Sequence, residues 1–184
     1  DHLTEQVQTD LDQEGEEDEV ESAPQNESLN HLLDLLDYDL GALASLASNK
    51  KTKVESLMRE SEQLMSAGRY FDADAQYRQG IKYEPRHVMA RVGVVHAQLG
   101  AGMIRSAAFN LRVLFVQHPT MIAARYGPKV LPSTERLQWI RERLDRLIEI
   151  SDRPGPALML AYLGHQTKSE SLVTYAIDLA QSCS

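Results

Sequence analysis

Apolar residues along this chain fall in helical rather than strand-like patterns. From Ser28 onward Leu29, Leu32, Leu33, Leu36, Leu40 and Leu43 recur every three or four positions, which sets them on one face of a helix. Ser28, or Asn26 before it, can cap the first turn. Asn49-Lys50-Lys51 interrupts the pattern, so residues 28–49 are predicted as one amphipathic helix. Beyond Val54 there is no sustained alternation and no Asn-Gly or Asp-Gly hairpin signal. Leu and Ala (24 and 18) outweigh Val and Ile (11 and 7), so the body is expected to be all α. Ala123–Val130 gives at most a short helix, broken by Gly127-Pro128. A stronger helix starts at Thr134, with Leu137, Ile140, Leu144, Leu147 and Ile148 as its apolar stripe. Pro154-Gly155-Pro156 stops it and can start the next, because Pro suits a first helical turn. Residues 157–166 and 169–181 then make a last helical pair.

An internal register organises the middle of the chain. Residues 54–85 laid on residues 88–119, an offset of 34, bring Ala67-Gly68 onto Ala101-Gly102, Ala73 onto Ala107, Arg78 onto Arg112 and Pro85 onto Pro119. These identities fall where a helix pair needs them. Gly68 and Gly102 can end a first helix in the left-handed conformation. Ala73 and Ala107 allow close approach of the second helix, and Pro85 and Pro119 end that helix. Tyr70 and Ile104, Tyr77 and Leu111, and Ile81 and Phe115 fill the core positions between.

The spacing Gly68-x-Tyr70-x-x-Ala73-x-x-x-Tyr77 with closing Pro85 resembles the tetratricopeptide repeat. The second unit keeps Gly102, Ala107 and Pro119 but has Ile104 and Leu111 where that family prefers aromatics. Neither unit has the family's early Trp or its Leu-Gly pair. A third unit in phase would place its turn glycine at Arg136, where the pattern fails, so residues 120–184 are expected to be degenerate repeats or capping helices. The resemblance, covering about a third of the chain, implies an α-solenoid of antiparallel helix pairs in a right-handed stack. It also implies a concave groove lined by the first helix of each pair. Carried over position by position, that groove consists of Glu55, Met58, Glu62 and Met65 in the first unit. The second unit contributes Met89, Val92, His96 and Leu99.

Met, Glu, Val and His replace the Lys and Asn with which some members of the family hold a terminal carboxylate. A Met-bearing apolar floor suits an amphipathic helix or an adaptable peptide, although Met58, Met65 and Met89 serve equally as core packing. Residues 29–46 are themselves a candidate occupant. The alternative is a capping helix over the exposed face of the first unit. Either way six leucines in a row need cover.

Charge adds a second theme. Residues 1–49 hold 14 Asp or Glu and no Lys or Arg, whereas the rest of the chain has 13 acids and all 19 bases. An arm of −14 is therefore joined to a body of +6. Residues 1–27, with the carboxylate block Glu14–Glu21 and no aromatic, are expected to be a disordered arm. Arg136, Arg141, Arg143 and Arg146 alternate with Glu135, Glu142, Asp145 and Glu149, the pattern of a solvated helix, which argues against nucleic acid as a partner. The longest apolar run, Ala157–Leu163, is far short of the ~20 residues of a membrane span. The chain opens on Asp1 with no signal-peptide pattern and reads as a fragment or processed product.

Candidate chemistry is sparse. The six histidines, at 2, 31, 87, 96, 118 and 165, include no pair at metal-ligand spacing. Cys183 stands alone, so neither an intrachain disulfide nor a cysteine zinc site is expected. Glu14–Glu21 lacks the alternating ligands and turn glycine of a calcium loop. No phosphate-binding loop, nucleophile elbow or dinucleotide fingerprint occurs. The expectation is a non-catalytic protein-interaction module with no cofactor, taking a partner helix or peptide. The alternative is a structural subunit of a larger complex or homo-oligomer.

Overall fold

The computed structural model describes residues 41–150 and 154–182. Their fold is all-helical, with neighbouring helices packed in sequence order. Helix α1 (Lys53–Ser66) begins where the Thr52 hydroxyl accepts the Glu55 N–H, and α2 (Tyr70–Tyr83) follows a short turn. α3 (Val88–Gly100) is capped by an imidazole, His87 Nδ1 accepting from the Ala90 N–H. α4 (Ile104–Gln117) leads into a 3-10 turn at Pro119–Ile122. After an irregular stretch come α5 (Thr134–Glu149), α6 (Pro154–Gln166) and α7 (Glu170–Ser182).

Three turns share one geometry. Gly68 and Gly102 have φ of 71° and 77°. In both turns the residue after the glycine donates its N–H five residues back, and the glycine donates three back, which satisfies carbonyls orphaned at the helix end. The same bonds recur at residues 167–169, with Lys168 at φ 58° in the glycine's place. From Gly102 to Lys168 is 66 residues rather than 34, because the 3-10 turn, the irregular stretch and α5 are interposed.

The core is continuous from α1 to α7. α3 lies at its centre and is buried from Val92 through Gly100. It meets α2 through a glycine seam: a Cβ on Gly93 would run into the Tyr77 ring, and one on Gly100 into Tyr70. α5 packs across the end of α3. There the Arg136 guanidinium stacks over Trp139, 3.9 Å from the ring centroid, and donates to the Gly100 carbonyl at 2.6 Å.

Two sequence expectations are corrected. The short helical piece lies at Pro119–Ile122, where Pro119 suits a first turn, and residues 123–130 are irregular. The leucine-rich helix does not reach residue 49: residues 41–49 are not helical. Gly41 is a poor helix residue, and the backbone N–H groups of residues 46–48 are taken by side chains of α1. Residues 28–40 of that helix, and the acidic residues 1–27, lie outside the described residues.

Candidate functional site

The first helices α1, α3 and α6 carry a row of side chains at one repeat position. Glu62, His96 and Tyr162 each stand six residues before the left-handed turn residue of their pair. Two of its members touch. His96 Nε2 lies 2.6 Å from the Tyr162 hydroxyl, and Tyr126 approaches the imidazole edge-on at 4.8 Å between centroids.

Glu62 holds the chain's own N-terminal segment. Its carboxylate accepts the backbone N–H groups of Leu46 and Ala47 and the Ser45 hydroxyl, the last at 2.8 Å. Glu55, two turns earlier on α1, accepts the Ser48 N–H through one oxygen and faces His87 Nε2 at 3.3 Å through the other. Arg59 donates to the Ser48 carbonyl. Leu46 is buried beneath this bonding. At Leu43 the segment pairs with the irregular stretch, its N–H donating to the Arg125 carbonyl and its carbonyl accepting from Gly127. Gln166 grips that stretch from the other side, bonding the Ala124 carbonyl and the Tyr126 N–H at 3.0 Å each.

The eight groove residues are therefore not an open surface, a correction to the expected concave face. Met58, Met65, Val92, His96 and Leu99 are wholly or almost wholly buried in the core. Glu55 and Glu62 hold the 45–48 segment, and Met89 is half-buried. The cause is tertiary: helix packing takes the apolar members into the core, residues 45–48 bond to Glu62 and Glu55, and Tyr126 and Tyr162 pack against His96.

Burial sets the protonation of this layer. It drives the His96 imidazole down to about 4, opposed only by a weaker pull from the Val130 backbone. It pushes the Tyr126 hydroxyl up, and that of Tyr162 too, with the neighbouring Tyr126 adding to the latter. The Tyr77 hydroxyl is raised by burial and then by Glu62. All three phenols stay protonated, and His96 is neutral at neutral pH.

No family model, curated protein or solved structure matches this chain. Among the described residues no three His, Cys, Asp or Glu side chains gather to hold a metal ion, and no helix is long and apolar enough to cross a membrane. Sequence reasoning missed Tyr126, Tyr162 and Gln166. The signal for Tyr162 was its distance from residue 168, hidden because the left-handed residue there is Lys.

Proposed function

We propose that this chain is a non-catalytic protein-interaction module, a right-handed stack of antiparallel helix pairs of tetratricopeptide type. Its concave face takes extended peptide backbone. The carrying observation is the Glu62 carboxylate, which accepts two successive backbone N–H groups, those of Leu46 and Ala47. Those contacts read backbone and one apolar side chain, the chemistry by which a groove accepts a peptide of loosely specified sequence. In this chain the occupant is intramolecular. A short tether holds it at an effective concentration of about a millimolar. A partner peptide competes against that, and its apparent affinity falls by the fraction of time the face is free.

The test uses a labelled peptide of residues 41–50 added to the full chain. With Leu43→Ala and Leu46→Ala loosening the tethered segment, the peptide is expected to bind at least about tenfold more tightly than to wild type. Adding Glu62→Ala should abolish that gain. A loosened variant that keeps its helical circular dichroism and binds no peptide refutes the reading.

A structural-subunit reading is favoured by a different observation. Phe109 and Tyr175, each seven residues after the turn residue of its pair, are 65% and 50% exposed on second helices. If they pack in an assembly, sedimentation of the full chain shows a mass that rises with concentration, and Phe109→Ser with Tyr175→Ser removes the rise.

A further inference from the structure

We propose that the outward face of α4 docks an acidic helical segment of a partner protein. The face includes none of the side chains that hold residues 45–48, so the proposal stands whether or not Glu62 receives a peptide.

The positive charge of the body is concentrated. Residues 85–134 hold Arg86, Arg91, Arg105, Arg112, Arg125 and Lys129 and no Asp or Glu. The rest of residues 50–184 carries 13 bases and 13 acids, so the whole +6 belongs to α3, α4 and the turns around them. Among the described residues none of these six cations makes an ion pair. Arg105 and Arg112 both lie exposed on α4.

The 34-residue register shows what α4 lacks. On α2 the exposed stripe is Phe71, Ala75, Arg78 and Lys82, and the same positions on α4 are Arg105, Phe109, Arg112 and Val116. In α2 Arg78 is neutralised by Asp74 at 3.0 Å, and Arg69 before it by Asp72 at 2.8 Å. In α4 the counterparts of Asp74 and Asp72 are Ala108 and Ser106. Arg112 therefore keeps the base of an i, i+4 pair without its acid. Phe109 and Val116 on either side of it are 65% and 76% exposed. The stripe alternates cation and apolar side chain along its whole length.

That alternation specifies the occupant. Arg105 and Arg112 stand about 10 Å apart along the helix axis, the spacing of carboxylates two turns apart on a helix lying alongside. Apolar side chains between those carboxylates meet Phe109, and one turn further on they meet Val116. Both cations are Arg, whose planar fork takes a carboxylate through two parallel N–H donors. A lipid surface asks for a cluster of about four or more basic residues, and duplex DNA for a row of phosphate contacts. Two arginines separated by Phe109 match an acidic helix better than either. Apolar burial then supplies the attraction, and the arginines supply register and partner choice.

Fluorescence anisotropy with the full chain tests this. The probe is a labelled helical peptide of Ala, Glu and Leu, with Glu residues two turns apart and Leu between them. Its reference carries Gln in place of every Glu. The acidic peptide is expected to bind at concentrations where the reference does not. Arg105→Gln with Arg112→Gln should weaken binding about tenfold, and Phe109→Ala by a similar factor, with helical circular dichroism unchanged. Arg78→Gln, at an arginine already paired with Asp74, should leave binding as it is. Failure of the acidic peptide to bind overturns the proposal. So does binding that the α4 changes leave intact, or that Arg78→Gln weakens equally. Tighter binding of duplex DNA or phosphatidylserine vesicles, lost with the same two arginines, overturns it in favour of a phosphate surface. A mass that rises with chain concentration and falls when those arginines are replaced overturns it in favour of a second copy.

Discussion

Lys168 occupies at φ 58° a conformation that Gly68 and Gly102 occupy at 71° and 77°. A Cβ in the left-handed region costs about 1–2 kcal/mol. Lys168→Gly is therefore expected to stabilise the protein by about 1 kcal/mol, seen as a higher urea midpoint at unchanged slope. Gly68→Ala is the reverse experiment. No atom lies within 4 Å of a Cβ built there, so a loss of about 1–2 kcal/mol reports backbone conformation alone. His96 makes a pH prediction. Its folded pKa lies near 4 and its ordinary value near 6.5, so between those values the unfolded chain binds a proton that the folded one refuses. The stability from the neutral, buried ring is complete above about pH 6.5 and is lost as pH falls towards 4, by about 3 kcal/mol in all. Urea titrations at several pH values should show this slope, and His96→Gln should remove it.

Among helices, the contact between α2 and α3 reverses the ordinary rule for glycine. Inside a helix Gly is worse than Ala by about 0.5–1 kcal/mol. At Gly80 a Cβ would meet Val54 and Ala90 at 3.8 and 4.0 Å, ordinary contact distances. Gly80→Ala should stabilise by up to about 1 kcal/mol. Gly93 sits in an equally helical backbone, but its missing Cβ is the space the Tyr77 ring fills. Gly93→Ala is expected to cost about 1–3 kcal/mol through overpacking. Opposite shifts in melting temperature for these two changes verify that the seam, and not helix propensity, decides. Ala73, fully buried in α2, has no room for a larger side chain, and Ala73→Leu should cost a similar amount.

For the molecule as a whole, the N-terminal segment belongs to the fold. Removing residues 1–49 uncovers the apolar surface beneath Leu46 and strips Glu62 and Glu55 of their backbone donors. The truncated chain is expected to be less stable and to self-associate, read by light scattering against the full chain. Salt separates the forces involved. Residues 43–48 are held by apolar burial and hydrogen bonds, so their exchange protection should persist in high salt, which screens attraction between the acidic and basic parts of the sequence. Loss of that protection in salt alone would show that net charge holds the segment in place.

Periodicity and local stereochemistry determined the helices from Lys53 to Gln117 and from Thr134 onward, and the turns at Gly68 and Gly102, but not the end of the leucine-rich segment or the piece after Pro119. Those features depend on contacts within a few residues, and the spacing of Leu, Gly and Pro records them. The sequence also pointed to Glu62 and His96 as one position in two units. It did not reveal Tyr162 as the third member of that row, because Lys168 holds the turn by hydrogen bonds rather than by residue type, and 32 extra residues break the register. Nor could it tell an open groove from a filled one. Whether Glu62 and His96 are open depends on residues 45–47 and Tyr126 returning to them. That return is carried by the bonds from Glu62, Glu55 and Gln166 to backbone 7 to 42 residues away. Helix periodicity carries no trace of backbone contacts at that range, so only the tertiary structure decided what covers the face.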